Sequence, residues 1–523
     1  MHCVIGSGPA GVACAKALLA RGARVLMLDA GIELETERAQ LVRKLSTLGP
    51  SAWLPEEVGT LKNAMEASSK RIPQKLVFGS DFPYREADEH IPRRESGASV
   101  RPSLALGGFS TVWGAAMLPY RDEDIRDWPI KNDALAPHYR AVANFMGMVA
   151  QRDDLEEWFP VYADNPGTLR TSEQAKRFLY NLQRHRQSLR DSGWRFGRAR
   201  LALRAADSAG SKGCIYCKMC LYGCPYGCIY NAAGTVSEMR TDKNFTYQRD
   251  VVVTQLRESS GKVIISGYHR QTRETLSFEA TRAYLAAGIV PTTQILLRSQ
   301  NSYDQPLRAR DSQYYIFPLL TLGRPREAAE EAAYTLSQLF IEISRPEMAL
   351  RPVHLQIYGY NEIIAQTVRK SLGPLKALAP MLAERILIAQ GYLHSNDSSG
   401  IEMTLRRSGD KDFLEITAET GPEIRRAVGR VMGEFRRNAH KLGAFPLAPM
   451  LQLMQPGAGF HSGGTFPMRT HPAEYESDVL GRPYGWSQVH VVDASVLPSV
   501  PATTITFPVM ANAHRIGWET ANT

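Results

Sequence analysis

The first thirty residues switch from one periodicity to another within a short span. His2–Ile5 is a short apolar run, and Gly6-Ser7-Gly8-Pro9-Ala10-Gly11 follows it directly. Val12–Leu19 then carries apolar residues at helical spacing, Arg21-Gly22 closes that segment, and Val25–Leu28 is a second apolar run ending at Asp29. The pattern predicts strand, glycine turn, helix, strand. Residues 34–100 mix helical patterns with polar loops. Asp250–Leu256 and Lys262–Tyr268 read as paired strands, and Arg282–Leu285 as a strand running into Ala286-Ala287-Gly288.

From about residue 333 the texture becomes alternating. Leu336–Ile343, Val353–Tyr358, Ile386–Leu393, Ile401–Leu405 and Phe413–Thr417 are five candidate strands of one antiparallel sheet, followed by a helix over Pro422–Leu442. No internal repeat or low-complexity tract interrupts the chain. The expected fold class is α/β: a Rossmann-type domain built from discontinuous segments, with an α+β domain holding the antiparallel sheet inserted between them.

With 523 residues, 44% of them apolar and 22% charged, the chain is long enough for two or three domains and far from a disordered composition. Its longest uncharged apolar stretch, near Tyr314–Leu322, is too short to span a bilayer. A glycine motif at residue 6 leaves no room for a cleavable leader before it, so a cytoplasmic location is expected. The net charge is +9, with basic residues crowding Arg170–Arg204, where one or two helices with a solvated basic face are expected. An anionic sugar derivative is a lesser explanation of that charge. No nucleic-acid module accompanies it.

The glycine motif gains meaning from its setting. Gly6 permits the tight turn, Gly8 lets the backbone approach a pyrophosphate, and Gly11 lets helix and strand pack closely, with the helix N-terminus facing the phosphates. Asp29 is placed to accept hydrogen bonds from ribose hydroxyls. This much fits NAD or FAD equally.

Five of the seven cysteines lie within fifteen residues: Cys214, Cys217, Cys220, Cys224 followed by Pro225, and Cys228. The C-x2-C-x2-C-x3-C-P spacing matches the bacterial ferredoxin run, so an iron–sulfur cluster is expected with Cys214, Cys217, Cys220 and Cys224 as ligands and Cys228 in reserve. A [4Fe–4S] centre is preferred to [3Fe–4S]. Zinc and a metal-free brace are the alternatives.

Four further blocks occur in order: Gly107-Gly108-Phe109-Ser110-Thr111-Val112-Trp113-Gly114 with Asp127-Trp128-Pro129-Ile130, Ala286-Ala287-Gly288 with Gln294-Ile295-Leu296-Leu297, His461-Ser462-Gly463-Gly464-Thr465, and Val491-Val492-Asp493-Ala494-Ser495-Val496-Leu497-Pro498 leading to Thr503–Ala513. With the N-terminal motif, the chain resembles the glucose–methanol–choline (GMC) oxidoreductases, cysteine-bearing members included. The resemblance implies FAD held by Gly6, Ser7, Gly8, Pro9, Ala10, Gly11 and Asp29. It further implies Gly107, Gly108 and Ser110 along flavin and pyrophosphate, Val253 at the adenine, Ala287 and Gly288 under the nucleotide, and Asp493, Ala494 and Thr504 toward ribityl and phosphate. Relatives that attach flavin covalently use a histidine where this chain has Val112, so that link is excluded at this position.

The same resemblance implies FAD-binding segments over 1–130, 206–310 (with the cysteine loop at 212–231) and 456–523. A helical part spans 131–205 and the substrate domain 311–455. His461 takes the position of the general base, for which an imidazole is suited. The second polar residue of the family, histidine or asparagine, falls here on Ala502 or Thr503, of which Thr503, with a hydroxyl able to bond the substrate oxygen, is preferred. His394 is a lesser candidate for substrate contact, and His514 is expected to be structural.

The expected activity is oxidation of a CH–OH group, first of a sugar, glycoside or sugar derivative, with electrons leaving through the cluster to an external acceptor that could be a protein. Oxidation of a long-chain alcohol, an FAD-containing lyase and a docking module with a vestigial flavin fold are the alternatives.

Overall fold

The computed structural model describes residues 1–64, 75–208, 211–323, 328–348, 350–371 and 373–522. Residues 65–74, part of the helix-patterned 34–100 stretch, lie outside them. The fold is mixed α/β, with several sheets, antiparallel ones among them.

The N-terminal pattern folds as its periodicities dictate. His2–Ile5 and Val25–Leu28 are buried parallel strands, and the helix between them runs Pro9–Ala20. A five-stranded parallel sheet forms around them in the order Val489–Val491, Arg282–Leu285, His2–Ile5, Val25–Leu28, Phe245–Gln248. Strands from the two ends of the chain thus flank Arg282–Leu285 in one sheet, which is assembled from widely separated segments. Helix Pro9–Ala20 packs on the C-terminal helix Thr506–Thr520 at Gly517, where a Cβ would come within 2.8 Å of the Cys14 carbonyl oxygen. Proline at the first position of Pro9–Ala20 costs no hydrogen bond and leaves the following amides directed out of the helix end.

The single five-stranded sheet expected beyond residue 333 is instead divided between two sheets. Leu339–Ile343, Val353–Tyr358 and Ile386–Tyr392 join Tyr314–Thr321, Ala444–Pro446, Gln452–Leu453 and Trp194–Arg198 in a seven-stranded antiparallel sheet. Ile401–Ser408 and Lys411–Ala418 pair with each other in a second sheet, with Pro306–Asp311, Ser462–Gly463 and Arg93–Ser96. Sequence alternation assigns a residue to a face but not a strand to a sheet.

In the larger sheet one face is apolar: Tyr315, Phe317, Leu319, Ile341, Leu355 and Leu387 meet Phe178, Leu182, Val431 and Phe435 of helices Glu173–Arg184 and Pro422–Arg437. The opposite face carries Tyr314, Glu342, His354, Gln356, Gln390 and Tyr392, brought together by cross-strand register. Basic segment Arg170–Arg204 is only partly helical. It includes strand Trp194–Arg198, because Trp194 and Phe196 are apolar-face residues of the sheet. Its cations are largely paired, Arg186 with Asp154, and Arg190 and Arg195 with Glu157.

Candidate active site

A cavity partly open to solvent runs along the C-terminal ends of the parallel strands. Gly6, Ser7, Gly8, Pro9, Ala10, Asp29, Arg101 and Val253 line it. So do Gly108, Ala287, Gly288, Asp493 and Ala494, together with Phe109, Phe460, Ser462 and Ile505.

Whether these residues suit a dinucleotide is tested by the glycines. Gly6 has φ +103° and a Cβ there would fall 2.5 Å from the Ala286 carbonyl oxygen; at Gly11 it would fall 2.0 Å from that of Gly6. At Gly8 an added Cβ meets no protein atom within 4 Å, because the space above it is the cavity. The turn is therefore closed against protein and open toward the cavity beside a helix N-terminus, which fits a pyrophosphate. FAD fits this cleft, and the residues just named would hold it.

Asp29 is more constrained than the sequence suggested. Ser7 Oγ donates to its Oδ2 over 2.6 Å and Tyr247 Oη over 3.1 Å, while the Ser7 amide donates to Oδ1. Burial pushes its carboxyl up to about 6, against these hydrogen bonds. Asp493 is similarly engaged. Its Oδ2 accepts from the Gly288 amide (2.9 Å) and the Thr292 hydroxyl (2.5 Å), and its Oδ1 from the Ser495 amide (2.9 Å).

Four expected cofactor residues stand off the cavity wall. Gly11 lies behind Gly6 in the helix–turn contact. Gly107, at φ +87°, gives its amide to Ser7 Oγ over 2.9 Å. Ser110 donates to the Gly107 carbonyl (2.6 Å) and accepts the Ala232 amide (2.9 Å), joining the glycine turn to the helix after the cysteine loop. Thr504 Oγ1 accepts the Leu118 amide over 2.8 Å.

His461 is positioned by the strand pair Ser462–Gly463 and Pro306–Asp311. Ser312 N donates to its carbonyl (3.0 Å), and Ser462 Oγ donates to the buried Asp311 carboxylate (2.6 Å). Burial pushes the His461 imidazole down to about 3, with a smaller push from His354. Among the described residues the buried His461 Nδ1 has no hydrogen-bond partner, and neither has the buried Thr503 Oγ1. Tyr392 lies stacked on the ring, centroids 4.6 Å apart. His394 sits elsewhere: its Nε2 is 3.3 Å from the Asp124 carbonyl and its Nδ1 accepts the Asn396 amide, a structural role. His514 pairs with His138 on helix Asn132–Met146.

The iron–sulfur expectation is not supported. Among the described residues no three of His, Cys, Asp or Glu are arranged to hold a metal ion. The thiols crowd together: burial pushes up those of Cys214, Cys217 and Cys220, with Cys224 adding to it, a hydrogen bond with Cys224 pushes up that of Cys228, and several also bond to the chain. Cys220 Sγ accepts the Thr335 amide (3.5 Å), Cys224 Sγ accepts the Cys228 amide (3.3 Å), and Cys228 Sγ donates to the Lys212 carbonyl (3.4 Å). Cys217 packs with Leu45, Leu61 and Met219 in a small apolar cluster. Cys214, the first expected ligand, is a free, half-buried thiol.

Sequence reasoning missed Asp311, Tyr247, Tyr392 and the buried Glu342–His354 pair. Asp311 and Tyr247 bond to distant segments, while Tyr392, Glu342 and His354 meet through strand register, and no local motif marks any of them.

Compared with known proteins, residues 407–513 match the family model of the GMC oxidoreductases. No curated protein matches the chain. Among solved structures, that of pyridoxine 4-oxidase from Mesorbium loti is similar over 100% of this chain and 99% of its own, with a TM-score of 0.59 and 15% identity. The chain therefore has the fold of that oxidase, with GMC oxidoreductase sequence in its C-terminal part.

Proposed function

We propose that this protein is an FAD-dependent oxidoreductase that converts a CH–OH group to a carbonyl. The observation that carries the reading is a cleft lined by the glycine turn and by Phe460 and Ser462, the two neighbours of His461, whose imidazole burial keeps neutral. The GMC match of residues 407–513, which contain His461, supports it, as does a fold neighbour named as an oxidase of pyridoxine. Bound in the cleft, FAD would supply the acceptor for the hydride leaving the carbinol carbon.

His461 takes the hydroxyl proton. Its Nδ1 is sealed within the protein, which leaves Nε2 to act as the base. A base kept neutral by burial needs no prior deprotonation at ordinary pH. Thr503 Oγ1 is a polar atom without a partner among the described residues and takes the role of hydrogen-bonding the substrate oxygen. The substrate proposed is a sugar or sugar derivative, with a long-chain alcohol second. Gln356 and Gln390, register partners on the sheet face next to His461, offer amide groups beside the aromatic rings, which suits a polyhydroxylated molecule.

The test is an anaerobic screen of sugars and alcohols against the flavin-loaded protein. Bleaching of the flavin band by a sugar is expected. Bleaching by no CH–OH compound at all would overturn the reading.

A further inference from the structure

A general base must present its lone pair in a fixed direction, and a histidine ring is ordinarily fixed by a hydrogen bond to its second nitrogen. His461 lacks that hydrogen bond, since its Nδ1 is buried and unpartnered among the described residues. Its orientation must come from packing. One ring lies flat against it: Tyr392, 4.6 Å between centroids and 22° between planes.

Tyr392 is itself held from two sides. Tyr314, its register partner on the neighbouring strand, stacks on it at 5.0 Å and 20°. His354, its partner on the other neighbour, lies 6.2 Å away, and Glu342 fixes His354 through a 2.5 Å bond to Nδ1. Phe340 closes on His354 edge-on at 5.0 Å. The row Tyr314, Tyr392, His354, Glu342 thus crosses four adjacent strands of the seven-stranded sheet. Gly459 seats the catalytic segment on this row: a Cβ there would lie 3.0 Å from Tyr314 Cβ and 3.4 Å from Tyr392 Cε1. The segment carrying His461 can approach the rings this closely only because residue 459 has no side chain.

We propose that Tyr392 is the positioning residue for His461, replacing with a stacked ring the hydrogen bond that a catalytic imidazole ordinarily receives. The inference rests on His461 being the base. Tyr392 does not exchange a proton in this role; its face limits the tilt of the imidazole, and Tyr314 and the Glu342-held His354 limit the tilt of Tyr392. The feature that matters is the ring and not the hydroxyl.

The experiment compares Tyr392→Phe, Tyr392→Leu and Tyr314→Leu in flavin-loaded protein, following flavin reduction anaerobically across concentrations of the best substrate. Tyr392→Phe should reduce its flavin at nearly the unsubstituted rate. Tyr392→Leu should lose about 10- to 100-fold in the limiting rate, the size expected for a misdirected reacting group, with half-saturating substrate little changed. Tyr314→Leu should lose less, and it carries the test if the first leucine variant fails to hold flavin. Full rates in the leucine variants, or an equal loss in Tyr392→Phe, overturn the proposal. Failure of the functional reading is distinct, because the unsubstituted enzyme would then show no reduction by any alcohol.

Discussion

The Ser7 hydroxyl donates to Asp29 over 2.6 Å and accepts the Gly107 amide over 2.9 Å, so one side chain ties the glycine turn, the second strand and the downstream glycine block together. Removing it strands a buried amide and deprives a buried carboxylate of a donor, which costs about 1–3 kcal/mol for each buried group left unsatisfied. Ser7→Ala is therefore expected to lower both the melting temperature and the affinity for FAD. Calorimetry of the apoprotein and a flavin titration read the two effects separately. Unchanged values in both would mean that the linkage contributes nothing.

The glycines of the turn separate fold from ligand. Gly11→Ala places a Cβ 2.0 Å from the Gly6 carbonyl oxygen, a clash with backbone that no rotamer relieves. It should yield little soluble protein. Gly8→Ala meets no protein atom and projects into the cleft. Its apoprotein should melt near the parent temperature, while its affinity for FAD falls at least tenfold, about 1.4 kcal/mol. Gly8→Ala protein that binds FAD normally would contradict the assignment of this cleft.

His461→Ala should retain flavin and fold yet reduce its flavin about 10²- to 10⁴-fold more slowly, the usual worth of general base catalysis. With the imidazole pushed down to about 3, the rate of the parent enzyme should show no inflection near pH 6.5 from this group. Rate constants for anaerobic reduction between pH 5 and 8 check both statements. A parent-like rate in His461→Ala would remove it from the chemistry.

How much of this could be read from the chain depends on the range over which each feature acts. The strand–turn–helix from His2 to Asp29 is local, and its periodicities and glycines place it almost residue for residue. Strands Val353–Tyr358 and Arg282–Leu285 were legible for the same reason. The division of the later strands between two sheets was not, because pairing across a hundred residues is set by packing and topology rather than by alternation. Trp194–Arg198 was hidden by its arginines: Arg195 pairs with Glu157 and Arg198 donates to the Leu169 carbonyl, while Trp194 and Phe196 enter the core. The cysteine spacing does bring the thiols together, Cys224 acting on Cys214, Cys217, Cys220 and Cys228. But Cys220, Cys224 and Cys228 also bond to Thr335, Cys228 and Lys212, and among the described residues no metal-holding group is formed. Of the candidate site, His461 was recoverable from the family resemblance. The rings that bracket it were not, since Tyr392, Tyr314 and His354 meet only through sheet register.

The cysteine loop braces the domain through Met219, which is buried with Leu45, Leu61 and the Cys217 side chain. Met219→Ala opens a cavity there and should cost about 2–5 kcal/mol. Because the residue touches neither the cleft nor His461, the rate of flavin reduction in folded protein should stay within about twofold of the parent, under 0.5 kcal/mol. A melting curve and an anaerobic reduction trace distinguish the outcomes. A large loss of reduction rate without loss of stability would show that the loop serves the reaction.

His138 and His514 face each other across two helices with their Nδ1 atoms 2.8 Å apart. Only one proton fits between them. Burial pushes each imidazole down to about 4; the partner histidine and Arg515 add to this at His138, and Lys16 at His514. In the unfolded chain both return to about 6.5. Between pH 6.5 and 4 the unfolded state therefore binds protons that the folded state refuses, and stability falls as pH falls. The full contribution is present above pH 6.5. Each proton adds a slope of about 1.4 kcal/mol per pH unit. Replacing both residues by phenylalanine removes these two sites, so the loss of melting temperature between pH 7 and pH 5 should be smaller in the double variant than in the parent. An unchanged acid limb would show that the pair is not what the fold protects from protonation.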